Sequence, residues 1–328
     1  MKPYSRSVFA AFAVLAIPLL APHFAGPASA ADFPDKPIRW VIPFPPGGSN
    51  DILSRFLGVK LSEHVGQQVV IDNRGGASGI IGAELAANAP PDGYTILMVS
   101  TSFVMNAAVR KLPYDVEKSF TPITTVGSSP NSIVVYPGAG IGSVRELVDK
   151  AKASPGAINY ACPGVATFNH FGGELFNKVA GTKLVMVPYK GGGPAMVDVM
   201  AGQVPVMFTS VTQVLPHVRS GKIKMLAVGA AKRIAPLPDI PTIGESGYPG
   251  YEVYVWWGIV APAGVPRPVL DRLGRELTEI LKDQKTKELL AADAAEVKVA
   301  TPAEFRKLIH DEVLKWKDVA QTAGIRVE

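Results

Sequence analysis

Apolar residues follow two alternating rhythms along most of this chain. Short apolar runs predict strands, and runs spaced three or four apart predict helices. Ile38-Arg39-Trp40-Val41-Ile42 is a strand, and Pro43 to Ser49 is a Pro/Gly loop. Ile52, Leu53, Phe56, Leu57 and Leu61 then recur at helical spacing. Val69-Val70-Ile71 is the next strand, Ala77 to Asn88 a helix after a Gly-rich turn, and Thr95 to Val99 a third strand after Pro91-Asp92-Gly93. This β-α-β-α-β order predicts a parallel sheet with helices on both faces.

The alternation resumes at Ser132-Ile133-Val134-Val135. Ser143-Val144-Arg145-Glu146 reads as a capping box that opens a helix. Strands follow at 158–161, 184–187, 204–208 and 224–228, and helices at 168–179, 194–201 and 213–220. Two α/β units are therefore expected, one on each side of residue 130. Tyr251, Val253, Val255 and Trp257 share one face of a further strand. Two helices close the chain. One spans 268–282, and the other opens at Thr301-Pro302-Ala303-Glu304 with an N-cap, a Pro in the first turn and a capping acid. They are too few for a third domain and are expected to complete the first unit.

The first thirty residues change the picture. Lys2 and Arg6 precede the apolar run Val8–Leu20, and Ala28-Ser29-Ala30 matches a small-residue cleavage site. This is the pattern of a secretory signal peptide cut after Ala30. The run is too short to span a bilayer, and the mature chain is expected to be exported and soluble.

Composition excludes several classes. Of the 328 residues 47% are hydrophobic and 19% charged, which excludes a disordered chain. The single cysteine, Cys162, excludes an internal disulfide framework. Removing Lys2 and Arg6 leaves 31 basic against 28 acidic residues, so the mature charge is +3. The basic residues form no stripe with interleaved aromatics, and no nucleic-acid partner is expected.

Four Gly-rich loops join a strand to a helix, at the carboxyl edge of a parallel sheet, where ligands bind. They are Pro43–Asp51, Arg74–Gly79, Cys162–His170 and Pro188–Pro194. Glycines admit close backbone approach, and free N–H groups at a helix start attract anions. Each loop is equally readable as a tight turn with an N-cap. Asp51 reads as a first-turn acid that complements the helix dipole. Cys162 and His170 raise a nucleophile reading, but no orienting acid accompanies them. No Gly-Lys-Ser/Thr, HExxH or G-x-S-x-G occurs, so no nucleotide, metal or cofactor site is expected. Many backbone donors and few acid–base groups suit holding an anion better than transforming one.

Taken together, the loops resemble a known family. The motifs are Pro43-Phe44-Pro45-Pro46-Gly47-Gly48, Gly76-Ala77-Ser78-Gly79 through Glu84, Pro91-Asp92-Gly93-Tyr94, Val187-Pro188-Tyr189-Lys190-Gly191, Gly202-Gln203-Val204, Leu237–Thr242, and Trp257-Gly258 with Ala261–Pro266. This set resembles the substrate-binding receptors of tripartite tricarboxylate transporters, the Bug family. The likeness runs from Pro37 to the C-terminus.

The resemblance implies a two-lobe periplasmic binding fold, each lobe a mainly parallel sheet flanked by helices, with the ligand cleft between them. Lobe 1 would comprise 31–128 plus 252–328, and lobe 2 129–251, with crossings near Val126–Asn131 and Gly250–Trp257. It implies a monomeric, non-enzymatic receptor that captures a small carboxylate and delivers it to membrane permease subunits. The first-lobe contacts carried over are Phe44, Pro46, Gly47, Gly48, Ser49, Thr101 and Ser102. Those of the second lobe are Gly164, Val165, Ala166, Thr167, His170, Tyr189, Lys190, Thr209 and Ser210, with Trp257 at a crossing.

Departures qualify the second lobe. Gly164-Val165-Ala166-Thr167 stands where Gly-x-Gly-Ser/Thr is common, Pro205 where an Asp is, and Thr209-Ser210 where Asp-Asn is frequent. These leave Phe103, Phe168 and Trp257 as apolar walls, and a dicarboxylate with a substantial hydrocarbon body, aromatic or aliphatic, as the expected ligand. The competing readings are a secreted two-lobe hydrolase or transferase using Cys162 and His170, and a sensory receptor that presents its ligand to a membrane partner.

Overall fold

The computed structural model describes residues 33–323. The expected signal peptide and its expected cleavage after Ala30 lie outside the described residues. The first strands and helices fall where the apolar rhythm places them: β1 (Ile38–Ile42), α1 (Ser49–Val65), β2 (Val69–Asn73), α2 (Ile80–Ala87) and β3 (Thr95–Ser100). A 3-10 turn over Ala77–Gly79 precedes α2. Both β2 and β3 run parallel to β1, as the crossover helices require. A helix the rhythm did not predict, α3 (Thr101–Val109), follows β3 without a turn.

Next comes β4 (Phe120–Val135), a strand of 16 residues of which only the last four carried a strand signal. Pro122, Gly127 and Pro130 mask the rest. Register shifts near Pro122 and Gly127 absorb the missing ladder bonds, as bulges do. The second unit follows as α4 (Val144–Ala153), β5 (Asn159–Cys162), α5 (Phe168–Ala180), β6 (Val185–Pro188), α6 (Gly192–Met200), β7 (Val206–Ser210), α7 (Val211–Arg219) and β8 (Lys224–Val228). Ser143 caps α4 by accepting from Glu146 N–H.

The chain returns through β9 (Tyr254–Pro262), then α8 (Arg267–Lys282), α9 (Gln284–Ala292), β10 (Glu296–Val297) and α10 (Pro302–Ala323). The strand order is β2-β1-β3-β9-β4-β7-β5-β6, with β8 and β10 also paired to β4. The outer strands of each half are parallel, as expected. The centre is antiparallel: β9 lies between β3 and β4, and β4 faces β7 and β8. This follows from the return of the chain through β9.

One strand pair therefore joins the halves. Ser129 pairs with Val255 and Pro130 with Tyr254, and Asn131 N–H donates to Val253 O at 2.8 Å. The last helices pack against elements that precede the second unit, α8 on α1 and α10 on α3. Leu273, Leu277, Ile280 and Leu281 of α8 are fully buried, and Phe305, Ile309 and Trp316 of α10 sink into the same core. Gly258 permits that approach, because a Cβ there would meet the Phe305 ring at 2.2 Å. At its far end α10 reaches the second half, where Trp316 packs edge-on against Phe171 of α5 at 5.3 Å. Among the described residues no helix is long and apolar enough to cross a membrane.

Candidate functional site

Loops from the two halves face each other across a gap. The loop after β1 meets the start of α6, where a Cβ on Gly193 would lie 2.2 Å from Pro46 O. The loop after β2 meets the loop after β5, where a Cβ on Gly164 would lie 2.6 Å from Ser78 Oγ. Two hydrogen bonds cross the gap. Phe168 N–H donates to Ser102 Oγ at 3.1 Å, and Arg110 Nη2 donates to Val165 O at 3.2 Å.

Beneath these contacts lies a small inner cavity of about 40 Å³. Phe44, Gly48, Ser49 and Asn50 line it from the loop after β1, with Ser100 and Ser102 from the end of β3. Pro163, Thr167, Phe168, Asn169, Gly192 and Gln213 line it from the second half, and Val255 from the crossing strand. An outer chamber of about 670 Å³ shares Phe44 and Pro163 with the inner one and adds Pro46, Gly164, Tyr189 and Lys190.

Five helices begin at the inner cavity: α1, α3, α5, α6 and α7. Four of them, all but α5, start without a side-chain cap. Their first-turn N–H groups are therefore not taken by their own caps. No charged side chain lines the inner cavity. The field there comes from helix dipoles and neutral donors. Asn50 is buried, and its Nδ2 has no partner. Gln213 is held from both sides: Thr209 Oγ1 donates to its Oε1 at 3.0 Å, and its Nε2 donates to Gly192 O at 2.9 Å. Asn169 Nδ2 donates to Phe208 O at 2.7 Å.

Of the residues carried over from the family pattern, Phe44, Gly48, Ser49, Ser102 and Thr167 line the inner cavity, and Pro46, Gly164, Tyr189 and Lys190 the outer one. Gly47 N–H donates to Asp51 Oδ2 at 3.0 Å, which shapes the loop between them. Burial by itself would raise the Asp51 carboxyl. Bonds from Arg55, Gly47 and Asn73, with the Arg55 charge, outweigh that and hold it below the usual carboxylate range. Asp51 thus anchors the loop, beyond complementing a dipole.

Other positions are placed elsewhere. Thr101 Oγ1 accepts from Trp256 N–H at 2.9 Å, and Trp257 is fully buried. Val165 faces Arg110 through its carbonyl, and Ala166 takes a left-handed turn with φ +60°. Thr209 positions Gln213, and Ser210 Oγ is buried without a partner. His170 Nδ1 accepts from Ala166 N–H at 3.3 Å, and burial lowers its pKa. Tyr189 OH donates to Asp198 at 2.8 Å; burial and that carboxylate push it up to about 12.

Cys162 is buried, and burial pushes its thiol up to about 11. Its sulfur lies 3.2 Å from Gly164 O and 3.5 Å from Thr167 Oγ1, and no hydrogen bond joins it to His170. A thiol held protonated in this way is a poor nucleophile. Phe168 does stand as a cavity wall, whereas Phe103 belongs to a core cluster with Tyr114 and Phe120. Asn50, Asn169 and Gln213 carried no sequence motif. Only their neighbourhood to loop ends marks them.

Comparison with known proteins identifies the family. A family model described as "Tripartite tricarboxylate transporter family receptor" covers residues 53–325. Protein BugT of Bordetella pertussis is 35% identical over 319 residues, 96% of this chain and 98% of that one. Among solved structures, R. palustris Rpa4515 with adipate is 34% identical with a TM-score of 0.87, covering 90% of this chain and 99% of that one. MatC (Rpa3494) from Rhodopseudomonas palustris with bound malate is 28% identical with a TM-score of 0.83, over 88% and 99%. With the family model spanning most of its length, this chain belongs to the receptor family of the tripartite tricarboxylate transporters.

Proposed function

We propose that the chain is a periplasmic receptor that captures a small carboxylate in the gap between two lobes and hands it unchanged to its membrane transporter. The observation that carries this is the convergence of five helix starts, four without side-chain caps, on a cavity with no charged wall. Such a ring of amides and dipoles suits an anion. It also spares the cost of burying a counter-charge when the site is empty. Solved relatives carrying adipate and malate support a carboxylate ligand.

The carboxylate head sits in the inner cavity, on Asn50 and the uncapped starts of α1 and α6. The body extends past Phe44 and Pro163 into the outer chamber toward Tyr189 and Lys190. Because the inner cavity is far smaller than a dicarboxylate, entry requires the lobes to part about the crossing strands β4 and β9. Lobe 1 is 31–128 with 252–328 and lobe 2 is 129–251; the mature receptor begins after Ala30 and acts as a monomer. Cys162 and His170 have structural roles and no turnover occurs.

The test is a thermal-shift panel of mono-, di- and tricarboxylates on the mature protein, followed by calorimetry. A ligand at 100 times its dissociation constant adds about 2.7 kcal/mol of stability. A flat panel, or conversion of a bound acid to product, overturns the reading.

A further inference from the structure

Side chains alternate across the two strands that join the halves. Ser129 and Val255 are paired and share one face, and Val255 lines the inner cavity. Ser128, Pro130 and Tyr254 point to the other face, where they floor a separate cavity of about 610 Å³. That volume lies within the range of small-molecule sites. Its walls come from both halves. Ala230 to Lys232 and Ile234 to Pro236, after β8, form one side, and the end of α9 with β10 the other.

Two properties define what it would hold. The wall is mainly apolar, with Ile234, Pro236, Ala291 and Val297 beside the Tyr254 ring. Lys232 and Lys287 stand on it from opposite sides, with Glu296 as the single carboxylate of the lining. Neither lysine forms an ion pair among the described residues. Two ammonium groups against one carboxylate leave a net positive rim over an apolar floor.

We infer that this cavity behind the crossing strands is a second binding site, for an amphipathic organic anion: an alkyl or aryl body carrying one acid group. The body lies on Pro130, Tyr254 and Ile234, and the acid group meets Lys232 and Lys287. This site is separate from the carboxylate cleft and does not depend on the function proposed for it.

The probe is 8-anilinonaphthalene-1-sulfonate, titrated by fluorescence into mature full-length protein at low ionic strength and located by crystallography. One saturable equivalent is expected in this cavity, with affinity falling as salt rises. Lys232→Glu with Lys287→Glu should weaken it at least about tenfold, the scale of a lost charge-assisted bond. Ala235→Trp, on an exposed loop, should abolish it by filling the space. Circular dichroism checks that each variant folds, and the charge-reversed pair stands alone if the tryptophan variant does not. Absence of saturable binding, wild-type affinity in the charge-reversed pair, or density for the probe only in the cleft overturns the assignment. None of these outcomes bears on whether the cleft takes a carboxylate.

Discussion

Gly193→Ala should separate closure from folding. A Cβ at Gly193 would stand 2.2 Å from Pro46 O and 3.5 Å from Gly47 Cα, both backbone atoms of the opposite half. The first contact is about an ångström short of ordinary van der Waals distance, and a backbone carbonyl cannot rotate away as a side chain can. Overpacking of this kind costs about 1–3 kcal/mol. Within one half Gly193 has no such neighbour, so the cost falls on the closed arrangement alone. Apparent affinity is the intrinsic affinity scaled by the fraction of competent molecules. The dissociation constant should therefore rise roughly 5- to 150-fold. Calorimetric titration measures this, using whichever panel carboxylate stabilises wild type most. The melting temperature of the ligand-free protein should move by no more than about 1 °C, because the open arrangement relieves the clash. Gly47 is no substitute: its φ of +88° strains any side chain even when the halves are apart. An affinity within about twofold of wild type would show that the contact is not part of the bound state. A large drop in ligand-free melting temperature would show that the halves do not part.

Asn50→Leu removes a buried donor that has no partner to lose, so the ligand-free melting temperature should hold while carboxylate affinity falls roughly ten- to a hundredfold by calorimetry. Cys162, with its thiol pushed up to about 11, should resist a disulfide-exchange reagent near about pH 8 in the native protein and react once guanidinium unfolds it. Conversion of a bound carboxylate by wild type that is lost in Cys162→Ser would refute the structural role assigned to this thiol. Asp51 has a folded pKa below its unfolded one, so its contribution is complete above the ordinary carboxylate range and is lost as pH falls through the folded value. Asp51→Asn should be less stable than wild type at neutral pH and the gap should close in acid; melting curves across that range check it, and a constant gap would refute the linkage.

The outer elements were legible because their signals are local. Strands such as Ile38–Ile42 and helices such as Pro302–Ala323 carry their own rhythm and their own start. What was not legible depends on neighbours distant in sequence. The long strand β4 hides behind Pro122, Gly127 and Pro130, which are tolerated because β4 itself bulges between Pro122 and Thr124 and between Thr125 and Gly127 as it pairs with β9. Helix α3 begins Thr101-Ser102-Phe103-Val104, a stretch that reads as continued strand; its start is fixed by Thr101 reaching Trp256 on β9. The same distinction divides the site. Gly48, Ser49 and Thr167 stand at loop ends where the rhythm changes, so they could be singled out. Gln213 lies within a predicted helix, and only its bonds to Thr209 and Gly192 bring it to the cavity.

Those distant contacts converge on the β4–β9 pair, whose two faces look onto different cavities. A sheet side chain can serve only one face, so Val255 on the cleft side and Tyr254 on the other belong to different cavities though they are adjacent in sequence. Each of these cavities draws its walls from both halves. Bonds between the halves include Asn131 to Val253 on the pair itself, Ser102 to Phe168 and Arg110 to Val165 across the gap, and Lys178 to Thr322 O, Arg219 to Ala292 O and the Arg219–Asp293 ion pair at the periphery. Single hydrogen bonds of this kind contribute about 0.5–1.5 kcal/mol net. A ligand that binds the closed arrangement more tightly by a few kcal/mol is enough to move such an equilibrium almost completely. A charge-free cavity is consistent with that balance, because a fixed cation there would bind its anion tightly and oppose the release that delivery requires.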